Sequence, residues 1–217
     1  MTDHFAEFAF PDTDLARRAY AHAYEEVSEA LAHHSVRSYL FGRAAGEGMG
    51  LKAGSDYDDE LLFLACLLHD MGLNERGNGD QRFEVDGADA AVSFLEGQGV
   101  PADRVRVVWE AIALHTSVGI AHRMRPEIAL THTGAGIDVV ALGAENLPEG
   151  LADRVHAAFP RLELADDLSG TIVAQAAANP RKAPVGTFPS ELLRQFHPEI
   201  PMPRWEEMTG NAWPGVA

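Results

Sequence analysis

Apolar residues recur along this chain at helical spacing, while the alternating β-branched runs typical of strands are nearly absent. The longest helical pattern begins at Asp14, and its inward face continues in steps of three and four residues through His34 to Ala45. Glycines and prolines then separate one helical stretch from the next. The pattern predicts an all-α fold, and 217 residues are enough to bury a core in one domain.

Seven further helices are predicted after the first one. The next helix is capped by Ser55 or Asp56 and contains the apolar run 61–68, which is apolar nearly all round and therefore favours a central, buried helix. The others cover residues 87–96, 101–115, 126–142, 149–158, 161–178 and 189–196. Their caps and breaks come from residues such as Gly72, Gly97 and Pro126.

The C-terminal end differs in composition, because seven of the twelve prolines follow Asn179. Proline disrupts helices, so this end is predicted to be an irregular arm. We therefore expect a helical bundle over residues 1–180 and an arm over residues 181–217 that packs on the same domain. The predicted anchors of the arm are Phe188, Leu192, Phe196, Trp205 and Trp213.

Charge and cysteine content exclude several classes of partner. The formal net charge of -16 repels polyanions, so no nucleic-acid partner is expected. No run approaches eighteen apolar residues and the first ten residues lack the pattern of a signal peptide, so neither a membrane span nor export is expected. The single cysteine, Cys66, is predicted to be a buried core thiol, which fits a reducing, cytoplasmic location.

Two histidines and two aspartates occupy inward or apolar positions of different predicted helices: His34, His69, Asp70 and Asp138. A buried carboxylate costs several kcal/mol unless a cation or several hydrogen-bond donors satisfy it. Few lysines or arginines lie in the surrounding runs, so a divalent metal is the most economical partner. Two imidazole nitrogens and two carboxylate oxygens suit zinc, manganese, iron(II) or nickel and leave positions open for water.

The order His, His-Asp, Asp across successive helices resembles the HD superfamily of metal-dependent hydrolases. Five stretches are similar to its cyanamide hydratase-like branch, namely HSVRSYLFG (34–42), LLHDMGL (67–73), RFEVDGADAA (82–91), WEAIALHTS (109–117) and GIDVV (136–140). The resemblance implies an HD-domain helical bundle that binds one metal ion, most often zinc, through His34, His69, Asp70 and Asp138. It also implies addition of water to the nitrile of cyanamide, giving urea, and it suggests a homodimer.

Protonation of a nitrile nitrogen needs a donor beside the metal. The first candidate is His115, which faces inward on its helix and matches the LHTS segment of the family, with Thr116 as its hydrogen-bonding neighbour. Glu84 and Asp86 are the next candidates, as proton shuttles or as partners that orient the ligating imidazoles. Both could instead cap the helix that follows Gly87.

Three other functions compete with hydration of a small nitrile-like substrate by a metal-bound hydroxide, which is the preferred hypothesis. A phosphohydrolase acting on nucleotides or other small phosphate esters is common in the superfamily, but its usual glutamate three residues after the His-Asp pair is replaced by Leu73. A di-iron oxygenase would need about six ligands. A helical module that binds a small molecule without turnover is the non-enzymatic alternative.

Overall fold

The computed structural model describes residues 3–210, 212, 213 and 215. Within these residues the chain forms eleven α-helices and four short 3-10 helices, with no strand, which confirms the all-α prediction. The helices are α1 (His4–Glu7), α2 (Asp14–Glu26), α3 (Glu29–Gly48), α4 (Asp59–Leu68), α5 (Phe83–Gly97), α6 (Ala102–Leu114), α7 (Pro126–Val140), α8 (Leu151–Ala158), α9 (Leu164–Ala178), α10 (Phe188–Phe196) and α11 (Trp205–Gly210). No helix in the described part of the chain is long and apolar enough to cross a membrane.

The first predicted helix is in fact two helices. Val27 is extended, and the Ser28 side chain accepts a hydrogen bond from the Leu31 backbone N–H as the N-cap of α3. The hydrophobic spacing continued across this junction, so periodicity alone could not show the break, whereas serine is a preferred N-cap residue. The prediction of one continuous helix from Asp14 to Ala45 was therefore wrong.

Helix α3 is buried on all sides, with every side chain from Ala30 to Gly42 shielded from solvent. His33 is also buried, and its Nδ1 donates to the Pro160 carbonyl at 2.9 Å. A helix at the centre of a bundle has no face in contact with solvent, so the spacing of its apolar residues does not predict which of its side chains are buried.

Helices α3 and α7 approach closely because each contributes a glycine to their contact. A Cβ at Gly134 would lie 1.9 Å from the Ser38 carbonyl oxygen, and a Cβ at Gly42 would lie 2.6 Å from the Leu130 carbonyl oxygen. Gly134, which by propensity weakens α7, is therefore required by packing. The close contact brings His34 on α3 opposite Asp138 on α7.

The central position predicted for the apolar run 61–68 is confirmed, since all eight side chains are buried. Cys66 is among them, as expected of a core thiol, and burial raises its pKa to about 12. The helix begins later than predicted, because Asp58, rather than Ser55 or Asp56, caps it by accepting from the Leu61 N–H. Helix α4 thus ends immediately before His69 and Asp70.

The C-terminal arm contains α10, which coincides with the helix predicted over residues 189–196, and α11, which was not predicted. Phe196, Trp205 and Trp213 are exposed and do not anchor it, so that part of the prediction was wrong. The apolar face of α10 instead buries Leu193 and places Leu192 against the cluster that includes α9 residues.

Candidate metal centre

Three side chains converge at the middle of the bundle. His34 comes from the interior of α3, and His69 and Asp70 follow the last turn of α4. His34 Nε2 lies 3.1 Å from His69 Nε2, and Asp70 Oδ2 lies 3.2 Å from His69 Nε2 and 3.6 Å from His34 Nε2. All three residues are buried, and their ligand atoms form one group of metal-binding dimensions.

The hydrogen bonds behind the two rings fix their tautomers. His69 Nδ1 donates to the Cys66 carbonyl at 2.7 Å, and His34 Nδ1 donates to Asp138 Oδ2 at 2.7 Å. Carbonyl and carboxylate oxygens only accept, so in the neutral rings both Nε2 atoms carry lone pairs. These lone pairs face each other across the site.

Asp70 supplies a third acceptor to the same point. Its Oδ2 is buried and has no hydrogen-bond donor. Burial raises the pKa of Asp70, but the neighbouring His69, His34 and His115 together have the larger effect and hold this pKa below its ordinary value. The carboxylate is therefore ionised at neutral pH. Three acceptors without a donor repel one another unless a cation lies between them. The site therefore fits a divalent metal.

Asp138, the fourth predicted ligand, lies behind His34. Its Oδ1 accepts from Arg37 Nε at 2.6 Å, and its Oδ2 accepts from both His34 Nδ1 and the second Arg37 nitrogen, the latter at 2.8 Å. A carboxylate in this position fixes the ring of a ligating histidine and raises its basicity. Direct ligation by Asp138 stays a prediction, because both of its oxygens are engaged by Arg37 and His34 in the present arrangement.

His115 adds a fourth acceptor at the edge of the cluster. Its Nδ1 donates to the Ile112 carbonyl at 2.6 Å, and its Nε2 lies 4.0 Å from Asp70 Oδ1. Burial lowers the pKa of His115 to about 4, so the ring is neutral at pH 7 and its Nε2 is unprotonated. In this neutral form Nε2 can accept a proton or bind a metal ion, and the role of His115 as a proton donor stays a prediction.

Glu84 and Thr116 form a hydrogen-bonded network with Arg82 beside His115. The Thr116 hydroxyl donates to Glu84 at 2.5 Å, and Arg82 donates to Glu84 at 2.5 and 3.0 Å and to Thr116 at 2.9 Å. Burial raises the pKa of Glu84, but Arg82, His115 and Thr116 together lower it, so this carboxylate is ionised. The Arg82 guanidinium is therefore paired with Glu84.

Asp86 is not brought to the metal cluster. It forms a buried ion pair with Lys182 and accepts from the Gln81 N–H at 3.2 Å. Helix α5 begins at Phe83, so Glu84 and Asp86 lie inside its first turn and are not caps, contrary to one of the readings of the sequence. Lys182 could not be identified from the sequence, because its contact with a residue almost a hundred positions away depends on how α9 folds back.

A cavity of about 200 Å³ opens beside the cluster. Its polar side is formed by the four cluster residues His34, His69, Asp70 and His115, together with Thr116 and His132. His132 Nδ1 donates to the His115 carbonyl at 2.6 Å and so steadies the segment that carries this ring. The remaining wall is apolar, and sequence reasoning did not identify it because its residues come from four separate elements.

One comparison with known protein families bears on this site. A family model described as HD domain matches residues 31–158, which is more than half of the chain and includes all four residues predicted as ligands. The match is to the HD domain as a whole and does not single out the cyanamide hydratase-like branch. No curated protein matches this sequence. With its all-helical fold and a buried His-His-Asp cluster within the matched region, the chain belongs to the HD domain family.

Proposed function

We propose that this chain is a metal-dependent hydrolase of the phosphohydrolase type that acts on a small phosphate ester. The observation that carries the proposal is the convergence of His34, His69 and Asp70, within an HD domain, on one point at the floor of a cavity. Two imidazoles and a carboxylate suit zinc best, and they also suit manganese, iron(II) or nickel. Fewer protein ligands than coordination positions leave room for water and substrate.

The residues around the ion have separate tasks in this proposal. A bound divalent ion would supply Lewis acidity and lower the pKa of a water molecule. Asp138 and the Cys66 carbonyl hold the two imidazoles in the tautomer that presents Nε2. Neutral His115 can accept the proton of the attacking water. Attack forms a bond from the water oxygen to phosphorus and breaks the ester P–O bond, and the alcohol leaves with a proton.

A panel of phosphomonoesters, assayed for released phosphate with protein loaded with zinc, manganese, iron(II) or nickel, tests the proposal. We expect turnover of at least one ester that requires added metal and is lost in His69→Ala. The matched control is His122→Ala, which changes a histidine outside the cluster and its cavity. Absence of turnover with every metal, in protein shown to contain the ion, would refute the phosphohydrolase.

Hydration of a neutral nitrile such as cyanamide is a second candidate, and a specific observation favours it. Among the described residues, no lysine or arginine lines the metal cavity. Two arginines that contact residues of the site are paired, Arg37 with Asp138 and Arg82 with Glu84. A neutral substrate does not need a cation there, whereas a phosphate normally uses one. Urea production from cyanamide by the same metal-loaded samples distinguishes the two functions.

A further inference from the structure

We propose that the substrate carries an uncharged, apolar group that occupies the cavity beside the metal centre, and that Gly136 sets the length of the group that fits. The inference rests on the proposed function for the position of the reacting centre, but not on whether that centre is phosphorus or a nitrile carbon. It concerns the part of the substrate that does not react.

The wall opposite the metal ligands is almost entirely apolar. Side chains from α5, α7, α9 and α10 form it, and the residues concerned are Phe83, Ala135, Val139, Leu168 and Phe188. Recognition pockets of this kind bury apolar parts of a ligand and use a few polar groups to orient it. Here the polar groups all lie on the side of the metal cluster, so a ligand would be oriented with its reactive end toward the ion.

The mouth of the same cavity is also apolar. Val118, Val140 and Leu142 line it and are 84%, 69% and 71% exposed. Single exposed apolar side chains are ordinary, but three that line one cavity extend its apolar lining out to the solvent. A charged group on the non-reacting part of the substrate would stay at this apolar wall, away from the ion, and would lose its hydration without gaining an ion partner, so the cavity selects against it there.

The size of the cavity limits the apolar group. Its volume of about 200 Å³ is smaller than the 300–1,000 Å³ usual for pockets that hold drug-sized ligands. A short alkyl chain or a single aromatic ring fits this space, whereas a whole nucleoside exceeds it. The inferred substrate class is therefore a small molecule with a short apolar substituent on the reacting group.

Gly136 is the position in the wall where a side chain is missing. A Cβ built at this residue meets no atom within 4 Å, although the residue lines the cavity and lies within α7. Its neighbour Gly134 differs, because a Cβ there would collide with the Ser38 carbonyl of α3. A larger side chain at position 136 would therefore shorten the cavity without disturbing the helix contact.

Binding of two ligand series to zinc-loaded protein, measured by calorimetry, tests the inference without requiring turnover. The series are n-alkylphosphonates and n-alkylhydroxamates from methyl to hexyl, which place a charged or a weakly acidic metal-binding head on the same chains. We expect the dissociation constant to fall about three- to fourfold per methylene until the cavity is filled. A dissociation constant independent of chain length in both series would overturn the inference, as would a failure of both series to bind.

Variants at Gly136 test the role of that residue. Gly136→Leu should reduce the hexyl-to-methyl ratio of affinities at least tenfold, and Gly136→Ala should have a smaller effect in the same direction. The matched control is Gly170→Leu, which places the same side chain in open space on an exposed part of α9. An unchanged ratio in Gly136→Leu, with an unfolding midpoint equal to that of the wild type, would remove Gly136 from the proposal.

Ligand binding and the hydrolysis of n-alkyl phosphates together show whether the apolar site or the phosphohydrolase is wrong. Chain-length-dependent binding without hydrolysis of any n-alkyl phosphate would support the apolar site and refute the phosphohydrolase. Hydrolysis of methyl and hexyl phosphate with equal kcat/KM would support the phosphohydrolase and refute the apolar site.

Discussion

His34 is oriented from behind by a carboxylate that itself depends on a buried arginine. Arg37 is fully buried, and its guanidinium donates to both Asp138 oxygens and to the carbonyls of Phe159 and Pro160. Asp138 accepts hydrogen bonds from both His34 and Arg37. A substitution at Asp138 is therefore expected to weaken the metal site and to lower the stability of the fold.

Replacement of Asp138 by asparagine tests this arrangement. Asp138→Asn keeps the size of the side chain but removes the charge that pairs with Arg37. We expect metal affinity to fall about 10–100-fold, because the His34 ring is held less firmly. The free energy of unfolding should fall by about 3 kcal/mol, because Arg37 is left buried without its counterion. Calorimetric metal titration and urea unfolding measure the two effects.

The control is Asp166→Asn, an exposed residue of α9 that should change neither quantity. Two outcomes would contradict the orienting role. Unchanged metal affinity in Asp138→Asn would mean that the contact to His34 is dispensable, and complete loss of metal from the folded variant would mean that Asp138 is a ligand itself.

Metal affinity should also depend on pH through His69. Burial lowers the pKa of this ring, but the neighbouring Asp70 carboxylate, with the Cys66 carbonyl and Asp138, raises it above its ordinary value of 6.5. A proton then occupies Nε2, the atom that would bind the ion, at pH values below that raised pKa. Metal must displace this proton, so affinity should fall about tenfold per pH unit in that range.

Titrations between pH 8 and pH 5.5, in buffers of different ionisation enthalpy, measure both the affinity and the protons released. We expect weaker binding and more released protons at the acidic end. An affinity that stays constant over this range would exclude His69 Nε2 as a ligand.

The contact between α3 and α7 is the element-scale feature on which the site depends. Gly134→Ala would place a methyl group 1.9 Å from the Ser38 carbonyl oxygen, where backbone must move to make room. We expect the free energy of unfolding to fall by about 1–3 kcal/mol. The separation of the helices should also weaken metal binding, since His34 and Asp138 lie on opposite sides of this contact.

Gly170→Ala is the matched control, because a Cβ there meets no neighbour within 4 Å. Alanine has the higher helix propensity, so this variant should be more stable by up to about 1 kcal/mol. If Gly134→Ala were equally stabilising in urea unfolding, the close approach of α3 and α7 would not be required.

The helices were largely predictable from sequence, but their ends and contacts were not. Apolar spacing and the prolines and glycines located most helices, because these signals act within a few residues. The junction at Ser28 was missed, since the apolar spacing ran on across it. The sequence also did not show that position 134 requires glycine. This requirement comes from the backbone of α3, which lies close to Gly134, whereas helix propensity counts glycine only as destabilising.

At the scale of the whole molecule, distant segments have to meet for the site to exist. The sequence predicted that His34, His69 and Asp70 share a site, because buried acceptors need a common cation and the order of the motifs resembles a known family. It did not reveal that Arg37 and His34 both hold Asp138, or that Lys182 pairs with Asp86. These ion pairs follow from tertiary packing, which local spacing does not encode.

The Lys182 ion pair also explains how the C-terminal segment contributes to the cavity. Buried Lys182 donates to Asp86 and, at 2.9 Å, to the Gly79 carbonyl, which ties the end of α9 to the start of α5. The chain then continues into α10, whose Phe188 forms part of the cavity wall. The segment therefore belongs to the site even though it lies outside the matched HD domain.

Elemental analysis after dialysis against zinc and gel filtration measures whether the cluster of His34, His69 and Asp70 holds an ion. We expect one ion per chain in the wild type and none in His69→Ala, with the His122→Ala control unchanged. Zinc at 100 times its dissociation constant should stabilise the wild type by about 2.7 kcal/mol and leave His69→Ala unaffected. A full complement of metal in folded His69→Ala, or none in the wild type, would contradict the assignment of the metal centre.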